Sequence, residues 1–323
     1  MTTEDPTILY KPADVSKVTL DAIEERQSSR GKGVTTGVPE VDDVLKPIRP
    51  GELVTIVALS SNWKTGFMQH MARREAARLD PVGDECVLYV TWEVTVEECG
   101  LLDLANATGL DIADLADGNV ADLDQLKRAA IQRGTLPLYV FGHSLARRKK
   151  RPVLSMTAVA QAVLWLEDRL NLRVRLACLD FLQAMETEGK QDMRLEVAAN
   201  VDRAKNMAYV IGAPVLLGCQ AKQEIFDREW KLPRMNDGME SSKIMHASDK
   251  IIGLWRPVAT EGPNAEIGPD GNRIPVTEDL LLMGVAKNRF GQVGNWWPLS
   301  VDFGRNHLRG LMDYKTVDLR GVP

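Results

Sequence analysis

The sequence is short of the residues that build metal or disulfide frameworks. Its four cysteines, Cys86, Cys99, Cys178 and Cys219, contain no Cys-x-x-Cys pair, and its four histidines, His70, His143, His246 and His307, are scattered. Neither set has the ligand spacing of a zinc site. Three of the cysteines lie in or beside apolar runs, which predicts buried, reduced thiols in a reducing compartment. No stretch of about 18 consecutive apolar residues occurs, and the N-terminus MTTEDPTILYKPAD lacks a charged-then-apolar layout. A membrane-spanning or conventionally secreted protein is therefore not expected, and the predicted location is cytoplasmic. Positive charge is not in excess: 40 basic against 45 acidic side chains leave a net charge of −5. Any contact with nucleic acid must then come from local basic patches. There is no repeat at a fixed period, and no linker long enough to mark an independent second domain.

What is present is an alternation of short apolar runs with longer helical patterns. GELVTIVAL (51–59), ECVLYVTWE (85–93), LPLYVF (136–141), VRLACLDFL (174–182), APVLLGCQ (213–220), KIIGLWR (250–256) and LLLMGVAKN (280–288) read as strands. Helices are predicted over about 66–79, 96–108, 119–133, 155–171 and 192–211, from apolar residues at helical spacing. Such alternation predicts an α/β fold with a mostly parallel sheet covered on both faces. Ahead of it, Val15, Val18, Ala22 and Ile23 stand at helical spacing, and Gly31 and Gly33 break that helix. Residues 1–33 are thus expected to be an arm and helix, and residues 34–323 the globular body. The apolar side of the helix needs a cover, either its own body or a neighbouring subunit.

Chemistry concentrates at the ends of these strands. The loop Ser60-Ser61-Asn62-Trp63-Lys64-Thr65 lies between a strand and a helix N-terminus, the layout of a phosphate-binding loop. Backbone N–H groups and the helix dipole would hold phosphates there. Lys64 would reach the β and γ oxygens of ATP, and Thr65 would hold Mg2+. The loop lacks the glycines of the usual pattern: Ala58 replaces the first and Trp63 the second. If the position before Lys64 needs a positive φ, Trp63 is strained by about 1–3 kcal/mol. LACLD (176–180) is an apolar strand ending in a carboxylate, so Asp180 is a second Mg2+ candidate. Glu93 ends another strand, where it could polarise an attacking water. Gln220 ends a fourth and could sense the γ-phosphate or a bound strand. In an open parallel sheet these C-terminal ends converge on one crevice.

The order and wording of these motifs resemble the RecA-like motor domain of DnaB-type replicative helicases. The resemblance runs from the helix at 15–30 to roughly residue 310. TTGVPEVDDVLKPIRPGELVTIVALSSNWKT is similar to that family's entry segment and phosphate loop, and VLYVTWEV to the strand with its catalytic Glu. CLDFLQAM is the most specific match, APVLLGCQ resembles the following strand with its Gln, and AKNRFGQVG resembles the stretch that reaches a neighbour's nucleotide. The resemblance implies an ATP- and Mg2+-dependent DNA helicase that works as a ring-shaped homo-oligomer, a hexamer, on single-stranded DNA. Lys287 and Arg289 would then act in trans, and the helix at 15–30 would dock on the adjacent protomer. A loader or other replication protein is the further partner implied. Trp63 departs from the family's loop, and its N-terminal helical domain has no counterpart in this sequence.

DNA contacts are expected from polar loops of the sheet. ETEGKQDMR (186–194) offers Lys190 and Arg194, and the segment 222–243 offers Lys222, Arg228, Lys231, Arg234 and Lys243. The bland alternative for each is a solvated loop residue. ARRKKR (146–151), the densest basic run, reads first as a solvated loop, and Trp296 and Trp297 read as strand or core residues rather than base-stacking ones. Two other functional readings remain: a non-unwinding ATPase of the same fold serving recombination, a mobile element or defence, and a catalytically impaired DNA-binding assembly module.

Overall fold

A computed structural model of the chain describes residues 10–27, 33–147, 153–186, 193–239, 241–268 and 273–312, apart from the side chains of residues 193, 194 and 241. Lys190 and residues 148–151 of the basic run lie outside the described residues.

The strand β1 (Leu53–Ala58) is Leu- and β-branched-rich and buried along its whole length. It sits inside a nine-stranded sheet with β2 (Glu85–Thr91), β3 (Leu138–Phe141), β4 (Arg173–Asp180), β5 (Val215–Gln220) and β6 (Lys250–Trp255). Pairing among these is parallel, in the order β6-β1-β5-β4-β2-β3. After β6 come a short hairpin, β7 (Glu266–Ile267) and β8 (Ile274–Pro275), and then β9 (Leu280–Asn288), β10 (Trp296–Asp302) and β11 (His307–Leu311). These last three extend the sheet beyond β6 in antiparallel fashion. The apolar run at 280–288 predicted a strand but not its direction. No long helix separates it from β6, and without a crossover a neighbouring strand returns antiparallel. Trp296 and Trp297 are buried in β10, where they serve the core.

Helices cover both faces. The elements are α1 (Pro12–Gln27), α2 (Pro39–Leu45), α3 (Lys64–Ala76), α4 (Val96–Thr108), α5 (Ile112–Ala116), α6 (Leu123–Arg133), α7 (Met156–Leu170), α8 (Met193–Val210), α9 (Ser241–Ala247) and α10 (Val258–Glu261). On one face Phe67, Met68 and Met71 of α3 pack with Val54, Ile56, Leu176 and Leu216. On the other, Val159 and Val163 of α7 and Val201 and Ala204 of α8 pack with Leu53, Val57, Leu179 and Leu217. The alternation along β1 sends odd positions to one layer and even positions to the other. Local signals set the helix starts: Thr95 and Glu98 form a reciprocal capping box on α4, and Ser155 caps α7. All four cysteines are buried, and none forms a disulfide. No helix among the described residues is long and apolar enough to cross a membrane.

Like α6 and α10, α1 has no buried residue, and only Ala22 along it is half-buried; Val15, Val18, Leu20 and Ile23 are 42–58% exposed. The described body leaves this helix uncovered.

Candidate nucleotide site

The loop after β1 leads into α3 through two residues in the left-handed region, Ser61 at φ 62° and Trp63 at φ 61°. Both are positions where glycine would be relaxed, and each side chain there costs about 1–3 kcal/mol. The loop is held from within: buried Asn62 donates from Nδ2 to Ser60 O at 2.8 Å and accepts the Arg256 main-chain N–H at 2.6 Å. Trp63 is the N-cap residue and Lys64 the first residue of α3, so the first-turn N–H groups of the helix face the loop's concavity.

That concavity is part of a cleft of about 430 Å³ lined by Ser60, Ser61, Lys64, Thr65, Glu93 and Gln220 together with Arg256, Phe303 and Asn306. The parallel register explains the gathering. Ala58 at the end of β1 is level with Gln220 at the end of β5, and Thr91 at the end of β2 with Asp180 at the end of β4. β2 stops at Thr91 because its ladder ends there; Glu93 stands two residues on, exposed at the cleft rim.

Electrostatically the cleft is incomplete. Lys64 is pushed down from the ordinary lysine range by burial, against the raising charges of Asp180 and Glu93. Its ammonium lies over the Phe181 ring, 3.6 Å from the centroid. Asp180 is fully buried; its Oδ2 accepts the Tyr89 hydroxyl at 2.8 Å, and its Oδ1 has no hydrogen-bond partner. Burial, with Asp180 beside it, pushes the Tyr89 phenol well above its usual value, so it stays a donor. A buried carboxylate oxygen without a donor costs about 1–3 kcal/mol unless a cation or its water supplies the missing contact. Asp180 therefore fits a magnesium shell with Thr65, completed by phosphate and water as magnesium prefers. Gln183, just after β4, accepts the Gln220 N–H at 3.0 Å, which ties the β4 and β5 ends together.

Several residues at this site escaped the sequence reading. Arg256 directly follows a parallel strand next to β1, a position that could have marked it. Its guanidinium lies 3.9 Å from the Phe303 centroid, its Nε is buried without a partner, and burial lowers its pKa despite Glu278. Phe303 and Asn306 come from the β10–β11 turn, far away in sequence, and nothing local announces them.

Lys287 and Arg289 stand elsewhere. Lys287 pairs in register with Ile251 near the start of β6, the end of the sheet opposite the cleft. Its Nζ donates to the carbonyls of Met245 and Ser248 at 2.5 and 2.6 Å, and Arg289 pairs with Asp249 at 3.1 Å. They cannot reach Lys64 of the same chain. Among the basic loop residues, Arg228 is bidentate on Asp237, Lys231 pairs with Glu261 at 2.6 Å, and Lys243 with Asp202 at 2.7 Å. Arg234 is exposed, and Arg194 lies in the first turn of α8.

A strand, a phosphate-type loop, a helix and a carboxylate-ended strand, all opening on one cleft, define a P-loop NTPase of RecA-like form. Residues 33–304 match the DnaB-like helicase C terminal domain, and the chain belongs to that family. The chain is 24% identical over 318 residues to "Replicative DNA helicase DnaC" of Bacillus subtilis, covering 96% of this chain and 63% of that one. It is 25% identical over 280 residues to "Replicative DNA helicase DnaB" of Leifsonia xyli, covering 85% and 56%. This chain thus spans little more than half the length of such relatives. Among solved structures, one described as an "ATPase Domain" superposes with a TM-score of 0.75 at 19% identity, covering 94% of this chain and all of that one. A structure titled "The Structure Of A DnaB-Like Replicative Helicase And Its Interactions With Primase" gives the same TM-score and identity, covering 93% and 68%. These likenesses confirm the fold.

Proposed function

We propose that this chain is an ATP-driven motor that moves on single-stranded DNA as a ring-shaped homo-oligomer, a hexamer. The observation that carries this is the division of charge across the sheet. Lys64, Thr65, Glu93 and Gln220 share one cleft, with Asp180 buried close enough to act on Lys64, whereas Lys287 and Arg289 lie at the opposite end. A cleft whose own cations are Lys64 and Arg256, the latter already stacked on Phe303, has a reason to recruit Lys287 and Arg289 from another copy. Lys64 and the α3 N-terminus hold the triphosphate, and Thr65 and Asp180 hold Mg2+, which supplies charge neutralisation when bound. Glu93 orients and deprotonates the attacking water, and Gln220 reports occupancy to the loop that follows it. Lys287 and Arg289 complete a neighbour's cleft after releasing their present partners. Residues 1–33 form an arm whose exposed helix α1 docks on that neighbour, and residues 34–323 form the motor.

Lys190, Arg194 and Arg234 contact DNA phosphates, and Arg228 and Lys231 join them only by exchanging Asp237 and Glu261 for DNA. A loader or primase is a further partner by analogy with the relatives. A non-unwinding ATPase is the second reading, favoured by the bulk of Trp63 in the loop.

The test is ATP turnover with and without single-stranded DNA, followed by strand displacement. DNA-stimulated turnover is expected, and Lys64→Ala should lose it by about a hundredfold or more. Two inactive variants, Lys64→Ala and Arg289→Ala, should regain activity when mixed, since mixed rings contain intact composite sites. No recovery in freshly assembled mixtures would refute the trans assignment; turnover without strand displacement would select the second reading.

A further inference from the structure

Trp63 is built into the cleft rather than merely tolerated there. Its Nε1 donates to Asn306 Oδ1 at 2.9 Å, and its ring meets Phe67 and Phe303 edge to face at centroid distances of 6.4 and 6.1 Å. Asn306 is itself a buried hub in the left-handed region at φ 47°. Its Nδ2 donates to Gln69 at 2.9 Å, and its carbonyl accepts from Arg73 at 3.1 Å and Asn106 at 3.0 Å. The indole lies flat on the first turn of α3: a β-carbon at Gly66 would overlap its five-membered ring. The absence of a side chain at residue 66 and the large one at residue 63 are therefore complementary.

The location matters for any ligand whose phosphates rest on Lys64 and Thr65. Glu93, just past β2, and Gln220, at the end of β5, line the cleft, and Asp180 is buried at the end of β4; in the phosphate-site reading these face the terminal phosphate. The part of the lining left for the remainder of a nucleotide includes Gly66, Phe303 and Asn306, the residues that surround Trp63. That is the volume the indole fills, fixed by one hydrogen bond and two aromatic contacts. Phe303 offers little relief, because one of its faces already carries Arg256.

We propose that Trp63 sets the ligand specificity of this site by standing in for the nucleoside, so that the triphosphate tail is recognised and the base is not. The inference rests on the phosphate-site reading above. Affinity then comes from the α3 N-terminus, Lys64 and Mg2+, and ATP, GTP, CTP and UTP are accepted alike. The nucleoside projects past the indole into solvent.

Calorimetric titration tests this with Mg2+-tripolyphosphate and the four nucleoside triphosphates in non-hydrolysable form. The intact protein should bind all five within about threefold of one another. Trp63→Gly, which relaxes a left-handed position and vacates the space over Gly66, should bind the nucleotides about tenfold tighter than tripolyphosphate. Asn306→Gly is the second variant. It keeps the left-handed turn and the carbonyl bonds from Arg73 and Asn106, and frees only the indole and Gln69. It should move in the same direction by a smaller factor, and it carries the test if Trp63→Gly fails to fold. If the intact protein prefers one nucleotide over tripolyphosphate by about tenfold and Trp63→Gly erases that preference, the indole is a stacking platform and the proposal is wrong. If the intact protein binds none of the five, the phosphate-site reading itself has failed, and this inference falls with it.

Discussion

The two ends of the central strands are opposites. At the start of β1 and β6, charges are matched: Lys250 pairs with Glu52 at 2.8 Å, and Asp249 accepts from Lys205 at 2.5 Å, the Leu53 N–H at 2.9 Å and Arg289 at 3.1 Å. Burial raises the Asp249 carboxyl, but those bonds outweigh it and hold the pKa below the usual range. At the far end of the same strands, Asp180 keeps an orphaned oxygen, Arg256 an orphaned Nε, and Ser61 and Trp63 sit in left-handed backbone. One end is finished by the chain's own groups, and the other is arranged for something the chain does not contain. Unsatisfied polarity and backbone strain cost stability; Trp296 Nε1 and Lys46 show single instances elsewhere, but the cleft end gathers four, which argues that this end serves a ligand.

Substitution of the two buried aspartates would sharpen that contrast. Asp249→Ala should cost about 3 kcal/mol in urea unfolding, because it removes the acceptor of the buried Leu53 N–H and the carboxylate partner of Lys205, which keeps only the Gly51 carbonyl as an acceptor. A loss near zero would mean that the closed end is not held by this network. Asp180→Asn should act in reverse. It keeps an oxygen for the Tyr89 hydroxyl and removes the carboxylate oxygen that has no partner, so the melting temperature should hold, while magnesium-dependent turnover falls by about a hundredfold. A strongly destabilised Asp180→Asn protein would show that the carboxylate serves the fold and would blur the contrast.

The smallest effect concerns His70, whose ring bonds the Thr36 carbonyl at 2.8 Å and stacks on Phe67 of α3. Burial first, with Arg73, Arg74 and His307 adding to it and the Thr36 bond opposing, lowers its pKa from 6.5 to about 4. Between those values the unfolded chain binds the proton and the folded one does not. The stabilisation is therefore present above pH 6.5 and is lost as pH falls toward 4. Stability should drop by about 1 kcal/mol between pH 7 and 5.5, and His70→Gln should remove that increment. An unchanged pH slope in the variant would place the acid sensitivity elsewhere.

Much of this was legible in the sequence where burial is continuous. The runs that became β1, β2, β4, β5, β6 and β9 are apolar through their middles, with charged or polar residues mostly at their ends, because strands covered on both faces have little polar alternation to hide them. β10 and β11 were harder: Trp296-Trp297-Pro298 followed by Ser300 and Asp302 has no clean period, and the antiparallel edge was not foreseen. In and beside the cleft, Lys64, Thr65, Asp180 and Gln220 close strands or open a helix, and Glu93 follows a strand end, positions a linear pattern marks. Tyr89, Arg256, Phe303 and Asn306 are ordinary residues in sequence and acquire their place only through distant packing.

The sequence by itself determined the layered α/β architecture and the residues at the strand ends, because hydrophobic period and chain order are local properties. The tertiary structure decided three other things. Strand register put Lys287 and Arg289 at the opposite end from Lys64, an outcome of pairing between segments far apart in the chain. Packing left α1 uncovered, since the described body is closed without it. The β10–β11 turn brought Asn306 to the indole of Trp63, and only that meeting makes an apparent defect in the loop part of the cleft's wall.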